Sequence, residues 1–230
     1  MKHTQTHPEI PIVFEDPYLL VINKPANLLS QQDHTGDSDV VGLCKKYLTG
    51  DHNSNPYVGL VHRLDRPVSG LMLLAKTPQA AKNLAQQLRD RTMQKTYRAV
   101  VEGEPPPNGV FTHHLLKNRP RNIVRVVSPG QRNAKKAILS FVTLTRRGGL
   151  NLLSVHLQTG RPHQIRVQLA HEGFPIWGDY KYGPDQPDGR PMALRAAELA
   201  FTHPADNKEI RLELQAPPDE PWVKFISFNT

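Results

Sequence analysis

Residues 62–75 read His-Arg-Leu-Asp-Arg-Pro-Val-Ser-Gly-Leu-Met-Leu-Leu-Ala. The first half places one carboxylate, Asp65, between Arg63 and Arg66, and Pro67 and Gly70 mark it as a turn. The second half, Leu71 to Ala75, is a short unbroken apolar run that reads as a buried strand. Nearby positive charge favours the ionised form of a carboxylate. An ionised, positioned carboxylate can act as a nucleophile, and flanking guanidinium groups can hold a phosphate backbone. A surface turn with an incidental ion pair is the ordinary alternative, so the rest of the chain has to decide.

Upstream of this stretch, residues 10–14 and 18–23 are apolar segments joined by Asp16-Pro17 and read as a hairpin, with Asn23-Lys24-Pro25 ending the second strand. Residues 30–39 are a polar loop. Over 38–48, Val40, Val41, Cys44, Tyr47 and Leu48 recur at helical spacing. Residues 50–57 are a polar break. Downstream, Thr77-Pro78 opens a helix with Thr as N-cap and Pro at the first position, and Ala81, Leu84, Ala85 and Leu88 form its expected inner face.

Residues 95–102 alternate as a strand, with Tyr97, Ala99 and Val101 on one side. After a proline-rich turn at 104–108, residues 122–127, 136–145 and 151–157 read as three more strands. Residues 160–166 look like a helix start that ends at Gly173. A Gly/Pro/Asp loop at 183–191, strands at 194–203 and 209–215 and a proline-rich tail complete the chain. Many strands with few helices, often following one another directly, predict an α+β fold: a mixed, mainly antiparallel central sheet with flanking helices. No boundary divides it, so a flexible residue 1–9 stretch and one domain over 10–230 are expected.

The 230 residues are ample for a hydrophobic core, and 38% hydrophobic with 22% charged residues describes a globular chain. A net charge of +8 suits a polyanionic partner, with RNA or DNA as the default. The single cysteine, Cys44, excludes an internal disulfide and a thiolate metal cluster and falls on the apolar face of its helix. The opening residues, MKHTQTHPEI, have no apolar core of a secretory signal. No run approaches the ~20 apolar residues of a membrane span. A cytoplasmic monomer is the expectation.

Three further features carry chemistry. Lys95-Thr96-Tyr97-Arg98 sets a tyrosine in a strand beside cations, where it packs or, in a functional site, stacks on a base or relays a proton. Gly160 to Arg166 sets Arg161, His163 and Arg166 near a helix start, where backbone N–H groups favour anions. Arg166 is either a structural arginine paired with a carboxylate or a site residue, and both hold if that carboxylate is Asp65. The cations Lys117, Arg119, Arg121 and Arg125, then Arg132, Lys135 and Lys136, have no acid among them and read as a solvated face or an RNA contact. The chain has no HExxH, CxxC, Walker loop, GxGxxG or GxSxG, so metal, nucleotide-cofactor and serine-hydrolase chemistry lack a motif.

Taken together, His62-Arg63-Leu64-Asp65 with Ser69-Gly70, Lys95-Thr96-Tyr97, and Thr159 to Arg166 (TGRPHQIR) resemble the signatures of the RluA-type pseudouridine synthases. The order and spacing match from about Ile10 to Leu214. Asn23-Lys24-Pro25, Gly178-Asp179 with Tyr182-Gly183, and Phe201 to Pro204 look like further landmarks of that family. The departures are Val68 where threonine is common, Asn27 where glycine is common, and Arg195 where histidine is frequent.

The resemblance is to the shorter members, which lack an N-terminal S4 RNA-binding domain. It implies the pseudouridine synthase catalytic fold and isomerisation of uridines in ribosomal or transfer RNA. Asp65 attacks the ribose or assists a glycal route, Tyr97 stacks on the uracil, and Arg166 pairs with Asp65 and keeps it ionised and aimed. His62, Arg63, Arg66, Lys95, Arg161, His163 and Gln164 are the expected RNA contacts. An isomerisation needs no redox cofactor, ATP or metal. A glycoside or nucleoside hydrolase is a weaker alternative, because no second carboxylate lies in the three segments. A non-catalytic RNA-binding module is the other.

Overall fold

The computed structural model describes residues 10–50, 55–184 and 189–226. The expectations for residues 1–9, and for parts of the 50–57 loop, the 183–191 loop and the tail, lie outside these. The chain forms two compact units: one holds the residues up to Met93 with Ala200–Arg211, the other Gln94–Leu199 with the residues from Leu212.

In the first unit, β1 (Ile12–Glu15), β2 (Leu19–Lys24) and β4 (Ser69–Ala75) pair in that order, all antiparallel, and a two-residue strand β3 (Gly59–Leu60) pairs with β4. The hairpin turns at Asp16, whose Oδ1 accepts from the backbone N–H of Tyr18 and of Leu19, both at 2.7 Å. β2 and β4 are buried almost throughout. This is why the 71–75 run is continuously apolar rather than alternating.

Helix α1 (Val40–Thr49) starts at Asp39, whose side chain accepts from Val41 N and Gly42 N. It buries Val40 and Cys44, and burial pushes the Cys44 thiol up to about 12. Helix α2 (Pro78–Asp90) starts as its sequence predicts, with Thr77 Oγ1 accepting from Ala80 N at 3.2 Å. Its buried face is turned from the expected one: Ala80 and Leu84 are buried, whereas Ala81, Ala85 and Leu88 are half-exposed. The polar Gln87 completes that side, donating to Thr202 O at 2.7 Å and accepting from Thr202 N at 2.9 Å. A glutamine that satisfies a strand backbone can sit where the apolar pattern shows a gap.

In the second unit, β5 (Gln94–Val101), β9 (Leu150–Leu157), β8 (Lys135–Arg147), β6 (Asn108–Asn118) and β7 (Ile123–Val127) pair antiparallel in that spatial order. β10 (Leu194–Thr202) and β11 (Glu209–Glu213) each begin in one unit and end in the other. β6 is absent from the sequence expectations. Its first six residues alternate between exposed and half-buried, Leu115 is buried, and pairing along eight positions of β8 sets its register. β5 is not half-buried, as its alternation suggests: Thr96, Tyr97, Ala99, Val100 and Val101 are all buried.

Helix α3 (Gln164–His171) buries six consecutive residues, 164–169. It closes on Gly173 at φ +84°, with Phe174 N donating to Leu169 O and Gly173 N to Ala170 O, a glycine-terminated helix end. The whole is the expected α+β chain of mainly antiparallel sheet with three α-helices among the described residues.

Candidate active site

In the first unit the loop 61–68 carries Asp65, and buried groups pin its backbone on both sides. The Ser30 hydroxyl donates to Leu64 O at 2.7 Å and accepts from Leu64 N at 3.1 Å. The Lys24 ammonium, fully buried, donates to Arg66 O at 3.1 Å and to Pro25 O and Leu28 O at 2.9 and 2.7 Å. Val68 N closes the turn on Asp65 O at 3.0 Å. Burial pushes the Lys24 ammonium down to about 8, against the pull of the Asp65 carboxylate and with help from Arg66. Asp65 itself is half-buried and Arg63 exposed.

Two of the expected RNA contacts are bonded within the protein around this loop. His62 is buried, and its Nε2 accepts from Leu73 N at 3.1 Å, tying the loop to β4. Arg66 is exposed, donates to Asn27 O at 3.1 Å and pairs with Asp37 at 2.8 Å. Asn27 adopts φ +65°, the left-handed conformation that explains why glycine suits this position.

In the second unit, Tyr97 is 6% exposed in β5, opposite Val155 of β9. Lys95 is half-buried two residues before it, and burial lowers its ammonium. The 159–166 segment folds on Gln164. Its Oε1 accepts from Thr159 Oγ1 at 2.8 Å and Arg161 N at 2.9 Å, and its Nε2 donates to Ile138 O at 3.0 Å. The amide of Arg161 is thereby engaged within the protein rather than offered to an anion. His163, at φ +53°, is buried with Nδ1 2.6 Å from the Tyr182 hydroxyl. Arg161 Nε donates to Lys136 O at 2.9 Å.

Arg166 is 5% exposed and makes a two-pronged pair with Asp179: Nε to Oδ2 and Nη2 to Oδ1, both 2.7 Å. Its guanidinium also lies 5.1 Å from the centre of the Tyr182 ring. Tyr182 OH further accepts from Val124 N at 2.9 Å. Sequence reading gave Asp179, Tyr182 and Lys24 only as landmarks, with no role. The signal for Asp179 is the glycine before it and a second glycine four residues on. A Cβ on Gly178 would meet Pro191 O at 2.6 Å, and one on Gly183 would meet Asp179 O at 2.7 Å. Such backbone crowding around one acid marks a carboxylate held in place.

Among the described residues, no group of three or more His, Cys, Asp or Glu is placed to hold a metal, and no helix is long and apolar enough to cross a membrane. One unit thus presents a carboxylate on a backbone-anchored turn, and the other an arginine aimed by an acid and a tyrosine.

Residues 18–171 match the family model described as RNA pseudouridylate synthase. The ribosomal large subunit pseudouridine synthase D of Zymomonas mobilis is 33% identical over 224 residues, covering 90% of this chain and 69% of that protein. Synthase C of Vibrio vulnificus is 35% identical, covering 94% of this chain and 68% of that one. The solved structure of human RNA Pseudouridylate Synthase Domain Containing 4 superposes with a TM-score of 0.74 at 27% identity, covering 90% of this chain and 88% of that one. On these matches the chain belongs to the RNA pseudouridylate synthase family as an enzyme that isomerises uridine in RNA.

Proposed function

We propose that the chain modifies uridines in ribosomal RNA, with Asp65 as its reacting carboxylate. The names of its synthase D and synthase C relatives support the large-subunit RNA as the target class. The observation that carries the assignment to Asp65 is its loop. Leu64 and Arg66, on either side, are each bonded through the backbone to a buried polar side chain, which keeps the turn rigid. Rigid placement lets a carboxylate react without first losing conformational freedom.

In this reading the uridine leaves its stack, at a cost of a few kcal/mol. Arg63, exposed beside the turn, holds the phosphate or fills the vacated space. The N1–C1′ bond breaks with Asp65 attacking the ribose or assisting a glycal route. The uracil turns, a C5–C1′ bond forms, and the C5 proton is lost while N1 gains one, so the product is an isomer. Tyr97 stacks on the uracil and accepts that C5 proton. Arg166 serves the reaction as a positioned cation, its direction set by Asp179 and Tyr182. The enzyme works as a cytoplasmic monomer.

Pseudouridine mapping of ribosomal and transfer RNA in cells with and without the gene tests the target. Sites that vanish from ribosomal RNA alone are expected, and loss confined to transfer RNA would move the assignment. The purified Asp65→Asn enzyme should bind RNA as before and lose about 10³-fold or more in turnover, ~4 kcal/mol of barrier. Substantial turnover by that variant would refute the role of Asp65, and free uracil as product would mark a hydrolase instead.

A further inference from the structure

The positive charge of the chain is not spread evenly. Between Glu104 and Glu172 there are 11 lysines and arginines and no acid, while the remainder carries 18 basic against 21 acidic residues. The whole excess therefore resides in β6, β7, β8, β9, the start of α3 and their loops. Within the second unit this segment forms a cleft of about 810 Å³. Lys117 and Arg119 at the end of β6, Lys135 at the start of β8, and Arg161 before α3 converge on it. None of these four takes part in an ion pair among the described residues. Leu116, Val124 and Pro162 add apolar groups to the cleft lining, and Asn118 and Asn133 add amides.

We infer that this cleft takes an unpaired nucleotide of the substrate RNA other than the uridine that reacts, with its base on the apolar surface and its phosphates on the four cations. The inference rests on the chain's acting on RNA and adds where a second nucleotide is held. A volume of this size accommodates one or two nucleotides but not a duplex. Cations without acidic neighbours gain most from a phosphate, because no internal pair has to be broken. The apolar floor distinguishes the cleft from a patch that attracts only the backbone, since bases recognised in RNA are unstacked and laid on protein surface. The cleft is also coupled to the chemistry. Val124, in its wall, donates its N–H to the Tyr182 hydroxyl, whose ring faces Arg166.

The test uses the whole chain and a single-stranded RNA of about ten nucleotides, titrated over a range of salt. Exchanging Lys117 and Lys135 for Ala should weaken binding about tenfold and lower the slope of log affinity against log salt by about 1.4, at ~0.7 per lost phosphate contact. Where that variant melts early, the Gln exchanges at the same positions give the same readout. Leu116→Ser should weaken binding of the normal strand and leave unchanged that of a sugar–phosphate strand lacking bases. An unchanged salt slope in a folded variant would overturn the proposal. So would equal affinity of the wild type for strands with and without bases, or full competition by uridine monophosphate, which marks a free-nucleotide site. Cleft-dependent binding in a chain that isomerises no uridine would keep the cleft and remove the catalytic reading.

Discussion

The loop at 61–68 and the hairpin end at 117–135 treat charge in opposite ways. In the loop, buried side chains reach backbone groups on both sides of Asp65: Ser30 takes both groups of Leu64, and Lys24 donates to Arg66 O. In the hairpin, Lys117, Arg119, Arg121 and Lys135 stand exposed without an acid among the described residues. The anchored mode returns at α3, where Asp179 grips Arg166 with side-chain exposures of 1% and 6%. The groups proposed for the chemistry are held at several points. Groups that collect a polyanion are left uncommitted, because a phosphate can pair only with a cation that has no partner already.

Breaking the most buried anchor should have the largest effect. Asp179→Ala removes both short bonds to the buried Arg166 guanidinium and should cost about 3–5 kcal/mol in denaturant unfolding. Loss of under ~1 kcal/mol would show that Arg166 has another anchor of equal weight. Lys24→Met removes three part-buried hydrogen bonds to backbone carbonyls and should cost about 1–3 kcal/mol. Chemical denaturation reads it directly.

That variant also sharpens the comparison through pH. The folded-state pKa of Lys24 lies at about 8, below the ordinary 10.5. Below pH 8 both folded and unfolded chains carry the proton, and the burial penalty is constant. Between about 8 and 10.5 the folded chain releases it first, so the unfolded chain binds more protons and the Lys24 contribution to stability rises with pH. The stability gap between wild type and Lys24→Met should therefore widen in favour of the wild type across that window. A gap flat in pH would show that Lys24 titrates normally.

Tyr182→Phe keeps the ring under Arg166 and removes the hydroxyl shared by His163 and Val124 N, for about 1–2 kcal/mol in thermal unfolding. Its turnover should fall more than its RNA affinity, because it positions Arg166 rather than touching the backbone of the RNA. At the other extreme, Arg121→Ala in the uncommitted region should change stability by less than about 0.5 kcal/mol, with only the salt slope of RNA binding falling, by about 0.7. A large stability loss there would break the contrast between the two regions.

Much of the fold was legible locally. Thr77-Pro78 announces α2, the 71–75 run announces β4, and Gly173 announces the end of α3, since each depends on a few neighbouring residues. β6 escaped because its residues alternate weakly after three prolines, and what makes it a strand is pairing with β8 more than twenty residues on. The buried face of α2 was displaced because Gln87 bonds Thr202, 115 residues away, and so replaces an apolar residue. The motifs single out Asp65, Tyr97 and Arg166 for the chemistry and His62, His163 and Gln164 as RNA contacts, and the structure buries the last three against the protein's own groups. Sequence does not tell a polar side chain facing RNA from one buried to shape a loop.

The order of amino acids by itself determined the family and the sign of the partner's charge, because these depend on residue types at fixed spacings and on a sum over charges. The tertiary structure alone decided which polar groups are anchored and which are open. Lys24 meets Arg66 O across 42 residues, Ser30 meets Leu64 across 34 and Arg166 meets Asp179 across 13. Burial and pairing at such separations are properties of the folded chain and leave no period in the sequence.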